Sequence, residues 1–122
     1  MRLTLDPPGD SHLIRAYADG EIRIGERRLH GSLIVSASTL IEDWRPRRIE
    51  DLTRADLEPA LALAPEVLLI GTGPRQRLPD RSLLAELYAT RVGFELMQTG
   101  AACRTYNVLL GEGRRVAAAL IL

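Results

Sequence analysis

The sequence predicts an α/β domain with a β meander attached, and three observations carry that reading. An apolar–charged alternation surrounds a turn signal in the first third, a short unbroken apolar run lies near the middle, and helical and strand patterns alternate from about residue 52 onward. In HLIRAYADGEIRIGERRLHGSLIVSAS, Leu13, Arg15 and Tyr17 alternate with Ile14, Ala16 and Ala18. Asp19-Gly20 is a hairpin signal, and Ile22 and Ile24 alternate with charges beyond it. Leu33 to Ser36 reads as another strand and Thr39 to Trp44 as a further one, which Pro46 stops.

The remaining elements follow in order. Thr53 and Asp56 have capping-box spacing, while Pro59 confines the main helical turn to about Pro59–Leu63. Val67 to Ile70 is an apolar strand of the kind buried on both faces. Asp80 caps a helix running through Arg91, with Leu83, Leu84, Leu87 and Tyr88 as its inward stripe and Gly93 as its end. Phe94 to Gln98 is the next strand, Thr99 caps a third helix to about Leu110, and Val116 to Ile121 closes the sheet. Crossover rules favour a closing strand parallel to its neighbours, with a mixed sheet as the alternative. Residues 1–11 read as an N-terminal extension and 12–122 as one domain.

Composition excludes several functions. Sixteen basic residues balance sixteen acidic ones, so no global field draws the chain to nucleic acid or to an anionic membrane. Every basic residue is arginine, which excludes a Schiff-base lysine or a Walker lysine. The single cysteine, Cys103, excludes an internal disulfide and, with no run approaching a bilayer span and no leader pattern at the start, points to the cytoplasm. His12 and His30 are not at metal-ligand spacing, and no Ser-His-Asp order or carboxylate pair emerges, so neither a catalytic residue nor a metal or cofactor is expected.

Two loops remain as candidates for function. GTGPRQRLP begins with Gly71, Thr72 and Gly73 and carries Arg75 and Arg77. The glycines permit positive φ and close backbone approach, and the arginines offer forked donors to an anion. Gln76 stands where a dinucleotide loop has its third glycine, and Pro74 removes an amide donor. The second loop opens TGAACRTYN, with Thr99, Gly100, Cys103, Arg104, Tyr106 and Asn107. Cys103 near a helix N-terminus beside Arg104 allows a reactive thiolate. A helical wheel instead places it with Tyr106 and Leu110 on the core stripe, with Arg104 and Asn107 on the other side. Both loops leave strands at the carboxyl edge of a parallel sheet, where ligands tend to bind, and they face each other if their strands are neighbours. WRPRRIED, Trp44 to Asp51, is a second basic stretch, but its acids make it a self-neutralising surface loop. Trp44 either packs beneath it or anchors a partner.

VLLIGTGPRQRLP, followed by VGFELMQTGAACRTYNVLLGEGRRVAAALIL, resembles the small Mth-like domain family. That family includes a mitochondrial assembly factor for respiratory complex I, an adipogenesis-associated protein and many bacterial proteins. The resemblance covers about residues 12 to 122, and its matching positions are Gly71, Thr72, Gly73, Thr99, Gly100, Ala102, Cys103, Tyr106 and Asn107. It implies a three-layer α/β fold with a mixed, mostly parallel sheet of about five strands, helices packed on it and the meander as a smaller β layer. It also implies a bacterial, non-catalytic factor that binds other proteins during biogenesis of a membrane complex. On this reading the protein contacts that complex peripherally, as a monomer or homodimer. The rival reading is a small-molecule or anion-binding protein, or an enzyme, using the Gly71–Arg77 loop and Cys103.

Overall fold

The structure is a computed structural model that describes residues 11–18 and 20–122. Strands β1 (Ile14–Ala18), β2 (Glu21–Ile24) and β3 (Arg27–Leu29) form an antiparallel meander in that spatial order. Asp19 of the hairpin signal and most of the N-terminal extension, residues 1–10, lie outside the described residues. Gly20, with φ 76°, takes the left-handed turn position that a side chain would strain.

The second sheet contains β4 (Leu33–Ser36), β5 (Leu40–Ile41), β6 (Val67–Thr72), β7 (Gly93–Met97) and β8 (Val116–Ile121), ordered β5-β4-β8-β6-β7. The expected strand over Thr39–Trp44 is only two residues long. Beyond Ile41 the chain turns away, and Asp43 has φ 54°. β6 runs parallel to both β7 and β8, while β4 is antiparallel to β8 and β5 antiparallel to β4. Four strands therefore share one direction and β4 opposes them. The mixed alternative holds at the closing strand itself.

Burial explains why β6 and β8 are central. Leu68 and Ile70 face one core and Leu69 the other, in the two-residue period of a strand, and all three are fully buried. In β8, Ala117, Ala119 and Ile121 share a core with Leu68 and Ile70, while Val116, Ala118 and Leu120 share the opposite one. These small alanines let elements approach the sheet closely from both sides.

Helix α1 (Arg54–Leu61) and helix α2 (Arg81–Ala89) cover one face of the sheet; helix α3 (Thr99–Gly111) and the meander cover the other. α1 begins earlier than Pro59 suggested. The Thr53–Asp56 capping box satisfies both reciprocal bonds, and Leu57 and Ala60 are buried. Pro59 cannot donate to the carbonyl of Ala55, but Ala55 is exposed and water can replace that bond. α2 ends two residues before Arg91. Thr90 donates its hydroxyl to the Leu87 carbonyl and accepts from the Val92 amide, and Arg91 takes φ 63°. Gly93 opens β7 instead of ending the helix, and a Cβ there would lie 3.1 Å from the Glu66 carbonyl. Of the inward stripe, Leu83 and Leu87 are buried, but Tyr88 is 73% exposed and packs edge-on against Phe94. Asp80 accepts from the Ser82 hydroxyl rather than from a helix amide.

Candidate functional site

The two loops meet because their strands are neighbours. β6 pairs with β7 from Val67↔Gly93 to Gly71↔Met97, so the residues after each strand emerge side by side. Thr99 N–H donates to the Gly73 carbonyl at 2.8 Å, and Gly73 N–H donates to Thr99 Oγ1 at 2.9 Å. The same hydroxyl donates to the Ile121 carbonyl, which joins three elements at one buried oxygen. Thr99 is thus the first residue of α3 and a tie between loops. The cap is Gln98, whose side-chain oxygen accepts from Ala101 N–H at 3.0 Å.

The two glycines of GTG do different work. A Cβ on Gly71 would lie 2.8 Å from Thr99 Oγ1 and 3.2 Å from Thr99 Cα, so its bareness lets α3 start directly against β6. Gly73 has φ 101° and open space around it, so it supplies backbone conformation. Between them Thr72 donates to the Arg75 carbonyl at 2.6 Å and accepts from Arg77 N–H at 3.1 Å, folding the loop back on itself. With the Gly73 and Arg77 amides taken internally and Pro74 lacking one, the loop lacks most of the amide cradle of a phosphate site.

The second constellation is turned inward. Cys103 is buried beside Ala102, Tyr106 and Leu110, and desolvation pushes its thiol up to about 12 despite the opposing charge of Arg104. Near neutral pH almost none of it is thiolate. Burial likewise raises the Tyr106 phenol, whose hydroxyl donates to the His12 carbonyl at 2.6 Å. Asn107 does not point away from the fold, as the helical wheel had it. Its Nδ2 donates to the Ile14 carbonyl at 2.7 Å and its Oδ1 accepts from Ile14 N–H at 3.0 Å. The amide thereby imitates a neighbouring strand along the edge of β1. The physical reason is that the meander folds over α3, so two sides of that helix are covered where the wheel assumed one. Arg104 remains exposed.

Beyond the tied loops lies an open cleft of about 220 Å³, bounded by Arg47, Arg48, Glu50, Arg75 and Arg77 over Ile121. A short 3-10 turn, Ile49–Asp51, brings WRPRRIED to this edge, and Arg77 reaches Glu50 at 3.5 Å. Sequence reasoning kept the two arginine stretches apart, and no local pattern in either predicts their meeting. WRPRRIED is only partly self-neutralised. Arg45 grips Asp56, holding that carboxyl below its usual range chiefly through the hydrogen bond, and Arg48 lies 3.8 Å from Glu50 and 3.9 Å from Asp51. Trp44 is 7% exposed and donates its indole N–H to the Asp56 carbonyl at 2.9 Å, so it packs beneath the loop and does not present its ring to a partner. Among the described residues no group of three or more His, Cys, Asp or Glu could hold a metal, and no helix is long and apolar enough to cross a membrane.

Comparison with known proteins places this geometry in a wider setting. A "13 kDa major membrane protein" of Francisella tularensis is 30% identical over 108 residues, covering 88% of each chain. "NADH dehydrogenase [ubiquinone] 1 alpha subcomplex assembly factor 3" of Xenopus tropicalis is 30% identical over 110 residues, covering 88% of this chain and 60% of that relative. A crystal structure of a Bordetella parapertussis protein superposes with a TM-score of 0.84 at 40% identity, covering 94% of this chain and 98% of that one. A solution structure from Bordetella pertussis, described as a Mth938-like domain, gives 0.80 at 34% identity, covering 99% and 92%. Residues 14–121 match the model of the family described as "Protein of unknown function (DUF498/DUF598)", to which this chain therefore belongs.

Proposed function

We propose that this protein is a non-catalytic binding module that serves the assembly of a membrane complex by holding other proteins at the carboxyl edge of its central sheet. The observation that carries the reading is how the reactive-looking groups are used. Cys103 is buried with a raised pKa, Thr99 ties two backbones, and Tyr106 and Asn107 fasten the meander to α3. The same edge leaves Arg75 exposed and Leu78 68% exposed, a charged and apolar pairing suited to a protein contact. Relatives named as complex I assembly factors support respiratory complex I as the client. We assign the action to the cytoplasm, in peripheral contact with the nascent complex, by a monomer or homodimer that needs no cofactor.

The test is a deletion strain of the source organism, followed by native-gel separation of its membranes and an in-gel NADH dehydrogenase stain. The expected outcome is less fully assembled complex, restored by the wild-type gene and by Cys103→Ala but not by Leu78→Asp. Unchanged assembly in the deletion strain would sink the proposal, and failure of Cys103→Ala at normal protein level would return a chemical role to the thiol.

A further inference from the structure

The arginine-lined cleft continues into a larger cavity of about 750 Å³ bounded by His30, Asp43, Trp44 and Arg45, and the two share Arg47 and Leu122. The two cavities adjoin at those residues and both are open to solvent, so we read them as one groove. Its charge is uneven. The arginine end holds the side chains of Arg47, Arg48, Arg75 and Arg77 against one acidic side chain, Glu50. Glu50 contacts Arg77 only at 3.5 Å and Arg48 at 3.8 Å, in partly exposed pairs that are weak and easily exchanged. The guanidinium groups of Arg47 and Arg75 make no hydrogen bond or ion pair among the described residues, although the Arg75 carbonyl accepts from the Thr72 hydroxyl.

We infer that this groove binds an extended acidic segment of a partner protein, whose carboxylates pair with Arg47 and Arg75. The inference deepens the assembly reading by naming the chemistry of the partner. Three features favour a peptide over a free anion. Two adjoining open clefts give room for a chain, the Gly73 and Arg77 amides are spent inside the turn while Pro74 has none, and the donors offered are long, exposed guanidinium groups. At the opposite end Asp43 faces the groove beside His30 and Arg45, and Arg45 is already held by Asp56. The acidic stretch of the ligand is therefore directed to the Arg47–Arg75 end, with uncharged residues toward the Asp43 end.

The test is fluorescence anisotropy with a labelled ten-residue peptide rich in Glu and Asp, against its Gln and Asn counterpart, using the full chain. The acidic peptide is expected to bind at least tenfold more tightly than the neutral one, and to lose at least tenfold in Arg47→Ala/Arg75→Ala. Raising the salt from 50 to 500 mM should weaken it by a similar factor, roughly as expected for exposed ion pairs. Neither arginine supports the fold, so the double variant should keep the wild-type melting temperature. Equal binding of the neutral peptide, or unchanged affinity in the double variant, overturns the inference. Displacement by low-millimolar inorganic phosphate would reassign the groove to small anions, and tighter binding to anionic lipid vesicles than to the peptide would reassign it to a membrane surface. In the deletion strain, rescue by Arg47→Ala/Arg75→Ala but not by Leu78→Asp would discard the acidic segment while leaving the assembly role intact.

Discussion

The segments that follow β6 and β7 leave neighbouring strands at the same edge of one sheet, yet they put their residues to opposite uses. After β7 the chain enters α3 at once, and Thr99, Cys103, Tyr106 and Asn107 are consumed by a backbone tie, a core and a strand-edge clamp. After β6 the chain is tied at Gly73 and Thr72, and Gln76 donates its Nε2 to the Leu96 carbonyl at 3.0 Å, while the side chains from Pro74 to Leu78 stay exposed. The more distinctive sequence thus specifies architecture, and the plainer one leaves Arg75 and Leu78 at the surface. Within residues 99–107, Tyr106 and Asn107 fasten the chain around β1 to α3.

This contrast can be broken at its tightest point first. Gly71→Ala drives a Cβ against the backbone and hydroxyl of Thr99, and should cost about 3 kcal/mol, the upper range for overpacking a core, read as a lower urea midpoint. Near-wild-type stability would mean that α3 can move off β6. Thr99→Val keeps the shape but strips Gly73 N–H of its acceptor and the Ile121 carbonyl of a donor, for a loss of about 2 kcal/mol by equilibrium unfolding. A loss confined to a few tenths would locate the tie elsewhere.

A pH series sharpens the contrast further. Both Cys103 and Tyr106 hold their protons more tightly folded than unfolded, so their contribution is complete below the unfolded thiol value of about 9. It should be lost as pH rises from there toward 12, where the unfolded chain ionises and the folded one resists. Denaturant midpoints should fall across that window in wild type and fall less in Cys103→Ala; equal slopes would refute the buried-thiol account. The smallest effect belongs to the free loop. Arg75→Ala and Leu78→Asp should each shift stability by no more than about 0.5 kcal/mol, as for exposed positions. A larger loss would show that this loop, too, supports the fold.

Much of the site was legible only in part. Gly71 announced close approach and Cys103 announced a core stripe, because both signals lie in residue type and local period. The role of Asn107 was not legible, since its partner is Ile14, 93 positions away, and nothing near either residue requires the other. The early start of α1 was misread for a related reason: Pro59 is a strong local signal, but the capping box and the burial of Leu57 and Ala60 outweigh one missing hydrogen bond. The exposure of Tyr88 was missed because Phe94, its ring partner, belongs to the next strand.

By itself the sequence determined the fold class, the doubly buried strand β6, the helix-strand rhythm and the absence of lysine chemistry, since these follow from composition and short-range period. Only the tertiary structure decided that Arg47 and Arg48 stand beside Arg75 and Arg77, and that Trp44 is buried while Leu78 is not. Those outcomes depend on where a short 3-10 turn lies against a loop more than twenty residues later. Charge and exposure at such a junction are properties of the assembled surface, and neither segment encodes them alone.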